Sequence, residues 1–111
     1  MVKISSIGAT VVGFRKTEYP SNKTPAVLAQ LRYEDGEVEE FAVSVNLDHP
    51  DNGYASRSLQ KDEFFCKNWS EGTEIYNALV ASEWLVPTGK VGSSGFVHPP
   101  VCKIGSKAKV A

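Results

Sequence analysis

Two stretches of alternating apolar and polar residues dominate the chain. AVLAQLRY (residues 26 to 33) places Val27, Ala29, Leu31 and Tyr33 on one face. EVEEFAVSV (37 to 45) places Phe41, Val43 and Val45 together. A period of two marks a half-buried strand. Between the stretches lie Glu34, Asp35 and Gly36, so the strands close a hairpin whose register depends on loop length. A two-residue Asp-Gly turn pairs Leu31 with Glu40 and Ala29 with Ala42. That register sets Phe41 and Val43 on the opposite face from Val27 and Leu31. A three-residue loop, with Gly36 left-handed as a bulge, pairs Ala29 with Phe41 and Val27 with Val43. The apolar side chains then share one face, so the pattern predicts the three-residue loop.

The rest of the chain is read around this hairpin. Residues 9 to 17 are rich in Val, Thr and Phe and predict a strand, with a short one before it near 2 to 7. YPSNKTP (19 to 25) is a loop bracketed by prolines, and NLDHPDNGYASRS (46 to 58) is a long polar loop. LQKDEFFCK (59 to 67) predicts a short strand. Ser70 is placed to cap a helix over about 71 to 83, with Glu71 and Glu74 at the positive end of its dipole. Ile75, Ala78 and Leu79 form its apolar stripe, edged by Tyr76 and Val80. Pro87 and Gly89 end any continuation. VHPPVCKI (97 to 104) predicts a last strand, at an edge because of its two prolines. The expected fold is α+β: an antiparallel sheet of four or five strands with one helix packed on one face. Residues 1–104 form a single domain and 105–111 a flexible polar tail.

Composition narrows the function classes. The chain has 111 residues, enough for one domain with its own core. Twelve basic and thirteen acidic residues give a net charge of -1, without the electrostatic footprint of a general nucleic-acid binder. A local basic face from Arg15, Lys16, Lys23, Arg57, Lys61 and Lys103 is the form nucleic-acid binding would take. MVKISSIGATVVGF does not read as a secretory signal, and no apolar run is long enough to span a bilayer. The expected location is the cytoplasm, with no membrane partner. Two cysteines far apart in sequence make no recognisable disulfide framework.

Motifs for chemistry are sparse. PTGKVGSSGFVHPP (87 to 100) has the glycines and lysine of a phosphate loop. However, Val91 follows Gly89-Lys90 where Ser or Thr is needed, and Trp84 stands where the first glycine belongs. Cys66, Cys102, His49 and His98 are zinc-ligand types, yet no two lie close in sequence. A Cys–His dyad lacks any local signature, and there is no GxSxG elbow. Glu39-Glu40 and Asp62-Glu63 are adjacent pairs, which a strand splits between its two faces. The reading is a non-enzyme with no cofactor and no metal site. The aromatics Phe64, Phe65, Trp69, Trp84 and Phe96 are assigned to the core.

Charge is the more informative pattern. Glu34, Asp35, Glu37, Glu39 and Glu40 put five acids in seven residues at the hairpin tip. Such a tip discourages edge-to-edge aggregation, and it also suits docking on a basic surface of a protein partner. Arg32 is placed to pair with Glu39. Tyr54 and Arg57, in the 46 to 58 loop, are residue types that anchor interfaces. These seven residues are the candidate partner-binding set. The pattern fits a monomer or a homodimer.

A wider likeness runs through the C-terminal half. Its elements are Asn46-Leu47 with Pro50, Asn68-Trp69 before the helix, Pro87-Thr88-Gly89, Ser94-Gly95-Phe96 and Pro100-Val101-Cys102-Lys103-Ile104. Over about residues 46 to 104 the chain resembles a family of small bacterial proteins of unknown function, often carried on plasmids and other mobile elements. The resemblance implies a compact α+β domain, with the Pro-Thr-Gly and Ser-Gly-Phe elements as fixed turns. It brings no catalytic residue. It points to an inhibitor or adaptor, with anti-defence (anti-CRISPR-like) action as one concrete form.

Overall fold

The computed structural model describes residues 1–20, 25–45, 62–70, 72–92 and 98–110. Strands β1 (Val2–Ile4), β2 (Ala9–Glu18), β3 (Pro25–Tyr33) and β4 (Val38–Ala42) form one antiparallel sheet in the order β1-β2-β3-β4. Strands β5 (Glu63–Phe65), β6 (Leu85–Val91) and β7 (Pro100–Ile104) form a second, in the order β5-β7-β6. One helix, α1 (Gly72–Ala81), lies against β1 and β6. The expected α+β class is what the chain adopts, with its strands divided between two sheets.

The hairpin has the register that the apolar pattern demands. Ala29 pairs with Phe41 and Leu31 with Glu39. The Gly36 N–H donates to the Tyr33 carbonyl, and the Tyr33 N–H to the Glu37 carbonyl. Gly36 sits at φ 91°, a conformation that costs a residue with a Cβ but not glycine. Val27, Ala29 and Leu31 are thereby buried together with Val11 and Phe14 of β2.

Past β4 the chain ties the two sheets together. The Val43 and Ser44 N–H groups donate to the Val27 carbonyl of β3. On the other side, the Val45 N–H donates to Phe65 and the Lys67 N–H to the Val43 carbonyl, beyond β5. The buried Ser44 hydroxyl accepts the Val27 N–H at 2.9 Å and bonds the Tyr19 hydroxyl at 2.9 Å. One core spans both sheets and the helix, from Val2, Ile4 and Phe14 through Val43 and Phe64 to Leu79, Trp84 and Leu85. Phe14 meets Trp84 edge to face at 5.6 Å, a favourable aromatic geometry.

The helix buries Ile75 and Leu79, with Tyr76, Ala78 and Val80 half-buried, as its periodicity predicts. It stops at a Schellman turn: the Trp84 N–H reaches the Leu79 carbonyl and the Glu83 N–H reaches Val80. Glu83 takes the left-handed position at φ 64° that glycine usually fills, and Lys107 ion-pairs with its carboxylate.

Three expectations are corrected. PTGK is not a turn between helix and strand but part of β6. Pro87 is tolerated because β6 is an edge strand, and Gly89, at φ 89°, lies in a bulge between the Pro87–Cys102 and Val91–Pro100 pairs. The last strand, β7, is central and not at an edge. Pro99 precedes it and Pro100 opens it, so neither proline interrupts its ladders. The segment from 105, expected to fray, is docked as far as Val110. The Gly105 N–H donates to Trp84, the Ala108 N–H to Gly105, and the Lys109 carbonyl accepts the Phe14 N–H at 2.7 Å. A Cβ at Gly105 would run into the Glu83 carbonyl, so that approach requires glycine.

Ser44→Ala leaves the buried Val27 N–H without its hydroxyl acceptor. The expected cost is about 1–3 kcal/mol, read as a lower denaturant midpoint with an unchanged slope.

Candidate functional site

The five hairpin acids are all exposed, but the structure divides them into two sets. Glu39 lies on the core face of β4, where the Tyr33 hydroxyl donates to it at 2.6 Å. Glu40 lies on the outer face, where Arg15 reaches across β3 and donates from Nε at 2.7 Å and Nη2 at 3.0 Å. The expected Arg32–Glu39 pair does not form. Arg32 stands opposite Val38, on the other face of the sheet from Glu39. Glu34, Asp35 and Glu37 make the tip itself. The Asp35 carboxylate accepts the Glu37 N–H at 3.0 Å and rigidifies the loop. The Glu34 N–H donates to the Gly8 carbonyl at 3.3 Å, which anchors the tip against the turn after β1.

That turn extends the surface. A 3-10 turn at Ser5–Ile7 leaves Ile7 exposed. Beside it, Ile4, Ser6, Ile7, Ser70, Glu74 and Ile75 line a groove of about 280 Å³. Ile4, Ile7 and Ile75 give it an apolar part, and among the described residues Glu74 is the one carboxylate that lines it. The end of the molecule that carries Glu34, Asp35 and Glu37 thus also offers an apolar groove with an acid. The sequence placed Arg15 in a basic face and Tyr33 on an apolar one; it did not show that they engage Glu40 and Glu39, and it did not single out Ile7 or this groove. Arg15–Glu40 joins residues 25 positions apart, so no local pattern announces it.

Tyr54, Arg57 and His49 lie outside the described residues, as do Lys23, Lys61, Glu71 and Phe96. Of the proposed basic face, Arg15 and Lys16 point to opposite sides of β2, and Lys103 faces Asp62 at 3.8 Å. Lys90 of the PTGK stretch donates to the buried Glu63 carboxylate at 2.6 Å. Trp84, Phe64 and Phe65 are buried and Trp69 is half-buried.

Cys66 and Cys102 do come together. Cys66, just past β5, adjoins Cys102 of β7; both are free and buried, while His98 is exposed. Burial pushes the Cys66 thiol far up, so it stays protonated. The Tyr76 hydroxyl, 4.0 Å from Cys102 Sγ, is also raised, chiefly by burial. A protonated thiol such as Cys66 is a poor nucleophile, whereas hydrogen bonding to Cys66, and then to Tyr76, draws the Cys102 thiol down against its burial. Among the described residues no group of three His, Cys, Asp or Glu could hold a metal ion.

A second cleft, of about 320 Å³, lies between the sheets and is lined by Lys16, Pro25, Val27, Asp62, Phe64, Ile104 and Val110. No described helix is long and apolar enough to cross a membrane. No protein-family model, no curated protein and no solved structure matches the chain.

The Tyr33–Glu39 bond carries a pH dependence. Its hydrogen bond to the carboxylate raises the Tyr33 hydroxyl above the ordinary tyrosine value of 10.0. A raised folded value means the contribution is fully present below about pH 10 and is lost as pH rises through the folded value. The thermal midpoint therefore falls in that alkaline window, and Tyr33→Phe flattens the fall.

Proposed function

We propose that this chain is a non-catalytic binding protein that docks the tip of its β3–β4 hairpin on a basic surface of a partner protein. The observation that carries this reading is the division of the acids. Glu39 and Glu40 are engaged by Tyr33 and Arg15. Glu34, Asp35 and Glu37 project at a turn that is braced by the Asp35–Glu37 bond and the Gly8 carbonyl. A braced, like-charged tip loses little conformational entropy on binding and steers a basic partner by long-range attraction. The apolar groove beside Ile7 adds a place for the hydrocarbon stem of a partner lysine or arginine, with Glu74 beside its charge.

The likeness over residues 46 to 104 supports a narrower form of the same proposal. In it the protein is carried by a bacterial mobile element and inhibits a host system by occupying a surface. Nucleic-acid binding is less well supported, because Arg15 and Lys103 already face carboxylates.

The test is a tagged capture from bacterial lysate, with protein identification and a nucleic-acid stain on the eluate. The triple variant Glu34→Lys, Asp35→Lys, Glu37→Lys keeps the Tyr33 and Arg15 contacts but loses the Asp35–Glu37 bond, so it is expected to fold with a slightly lower melting point. It is expected to lose the captured protein, whereas Glu74→Gln weakens capture only partly. Retention of the same protein by the triple variant would reject the hairpin as the docking site. Nucleic acid alone in the eluate would reject the protein-binding reading.

A further inference from the structure

The hairpin offers a partner more than charge. In an antiparallel ladder, alternate residues of an edge strand turn their backbone groups toward the neighbour and the others turn them away. Here the Tyr33 N–H donates to Glu37 and the Val43 N–H donates to Val27. With the register of Leu31 on Glu39 and Ala29 on Phe41, residues 37, 39 and 41 and the Val43 N–H face β3. The N–H and C=O groups of Val38, Glu40 and Ala42 therefore face outward. Among the described residues no strand pairs with this edge; the segment running through and past β5 bonds the chain beyond β4, at Val43 to Val45, and Lys67 lies over the Phe41 ring at 5.7 Å. Val38 is 61% exposed, an apolar side chain at the start of the open edge.

An open edge is a template for another strand, and its side chains decide which. From Glu34 to Val45 the chain has five acids and no base. A second copy of β4 laid along this edge would set carboxylates against carboxylates, which is unfavourable. An extended segment with alternating basic residues meets the opposite condition. Its basic side chains would lie beside Glu37 and Glu39 on one face or Glu40 on the other, and its backbone would bond Val38, Glu40 and Ala42. We propose that the partner contributes an extended, lysine- or arginine-bearing segment that adds to β4 as a fifth strand. This rests on the protein-binding reading of the hairpin and specifies its mode: the backbone supplies part of the affinity and the acids select the partner's charge.

The probe is a fluorescent peptide of alternating lysine and valine, about ten residues long, against the five-residue β4 at roughly 3.4 Å per residue. Binding is followed by anisotropy. A peptide of alternating glutamate and valine is the charge control. Val38→Pro removes one outward N–H without touching the β3 ladder. Because a proline variant can fail to fold, the lysine peptide is also made with N-methyl groups on every second residue, which strips its donors along one edge. The expected result is binding of the lysine peptide and not of the glutamate peptide. Val38→Pro or N-methylation should weaken it about tenfold, the scale of one or two backbone hydrogen bonds. Equal binding of the N-methylated peptide would overturn strand addition and leave charge docking in place. No binding of the lysine peptide would overturn strand addition as well, and the lysate capture would then judge the hairpin separately.

Discussion

Gly36 stands at φ 91°, and Tyr33 closes the hairpin loop by accepting the Gly36 N–H and donating to the Glu37 carbonyl. This small ring of bonds sets the register of β4 on β3. Register in a sheet has two values that matter, because a slip of one residue exchanges the faces of every side chain. In the observed register Phe41 and Val43 join the core beside Ala29 and Val27. Ser44 then arrives where its hydroxyl can take the Val27 N–H, and Val45 where it can bond Phe65 of the second sheet. With the other register, Val43 would leave the core and the junction between sheets would lose its geometry.

The same register shapes the surface. It divides Glu39 from Glu40, giving one to Tyr33 and the other to Arg15, and leaves Glu34, Asp35 and Glu37 at the tip. It also decides which backbone groups of β4 face outward. The packed half of the hairpin and the half proposed to bind are thus one structure, and the ion pair and hydroxyl contact hold the strand that presents the tip. In the interior, Cys66 and Cys102 adjoin as free, buried thiols, with the Tyr76 hydroxyl 4.0 Å from Cys102 Sγ.

Much of this was legible in the sequence where the physics is local. Alternation located β3 and β4, the geometry of a Glu-Asp-Gly loop chose their register, and the 3.6-residue period found Ile75 and Leu79. What was not legible depends on contacts distant in sequence. Pro87 and Gly89 read as breakers, because nothing local says that β6 would be an edge strand able to tolerate both. Pro99 and Pro100 suggested an edge for β7, although a proline at the first residue of a central strand costs it no interior bond. Residues 105 to 110 looked like a polar tail. Only the fold brings Lys109 to the stretch of β2 that β1 leaves unpaired, and Gly105 against Glu83. Of the candidate site, the acids were visible by composition; the contacts by which Arg15 and Tyr33 sort them were not.

Residue-resolved amide hydrogen exchange along β4 tests the central claim most directly, since protection reports which N–H groups are bonded. The account predicts slow exchange at Glu39, Phe41 and Val43 and fast exchange at Val38, Glu40 and Ala42. Protection of the second set, or an alternation shifted by one residue, would contradict both the register and the open edge built on it.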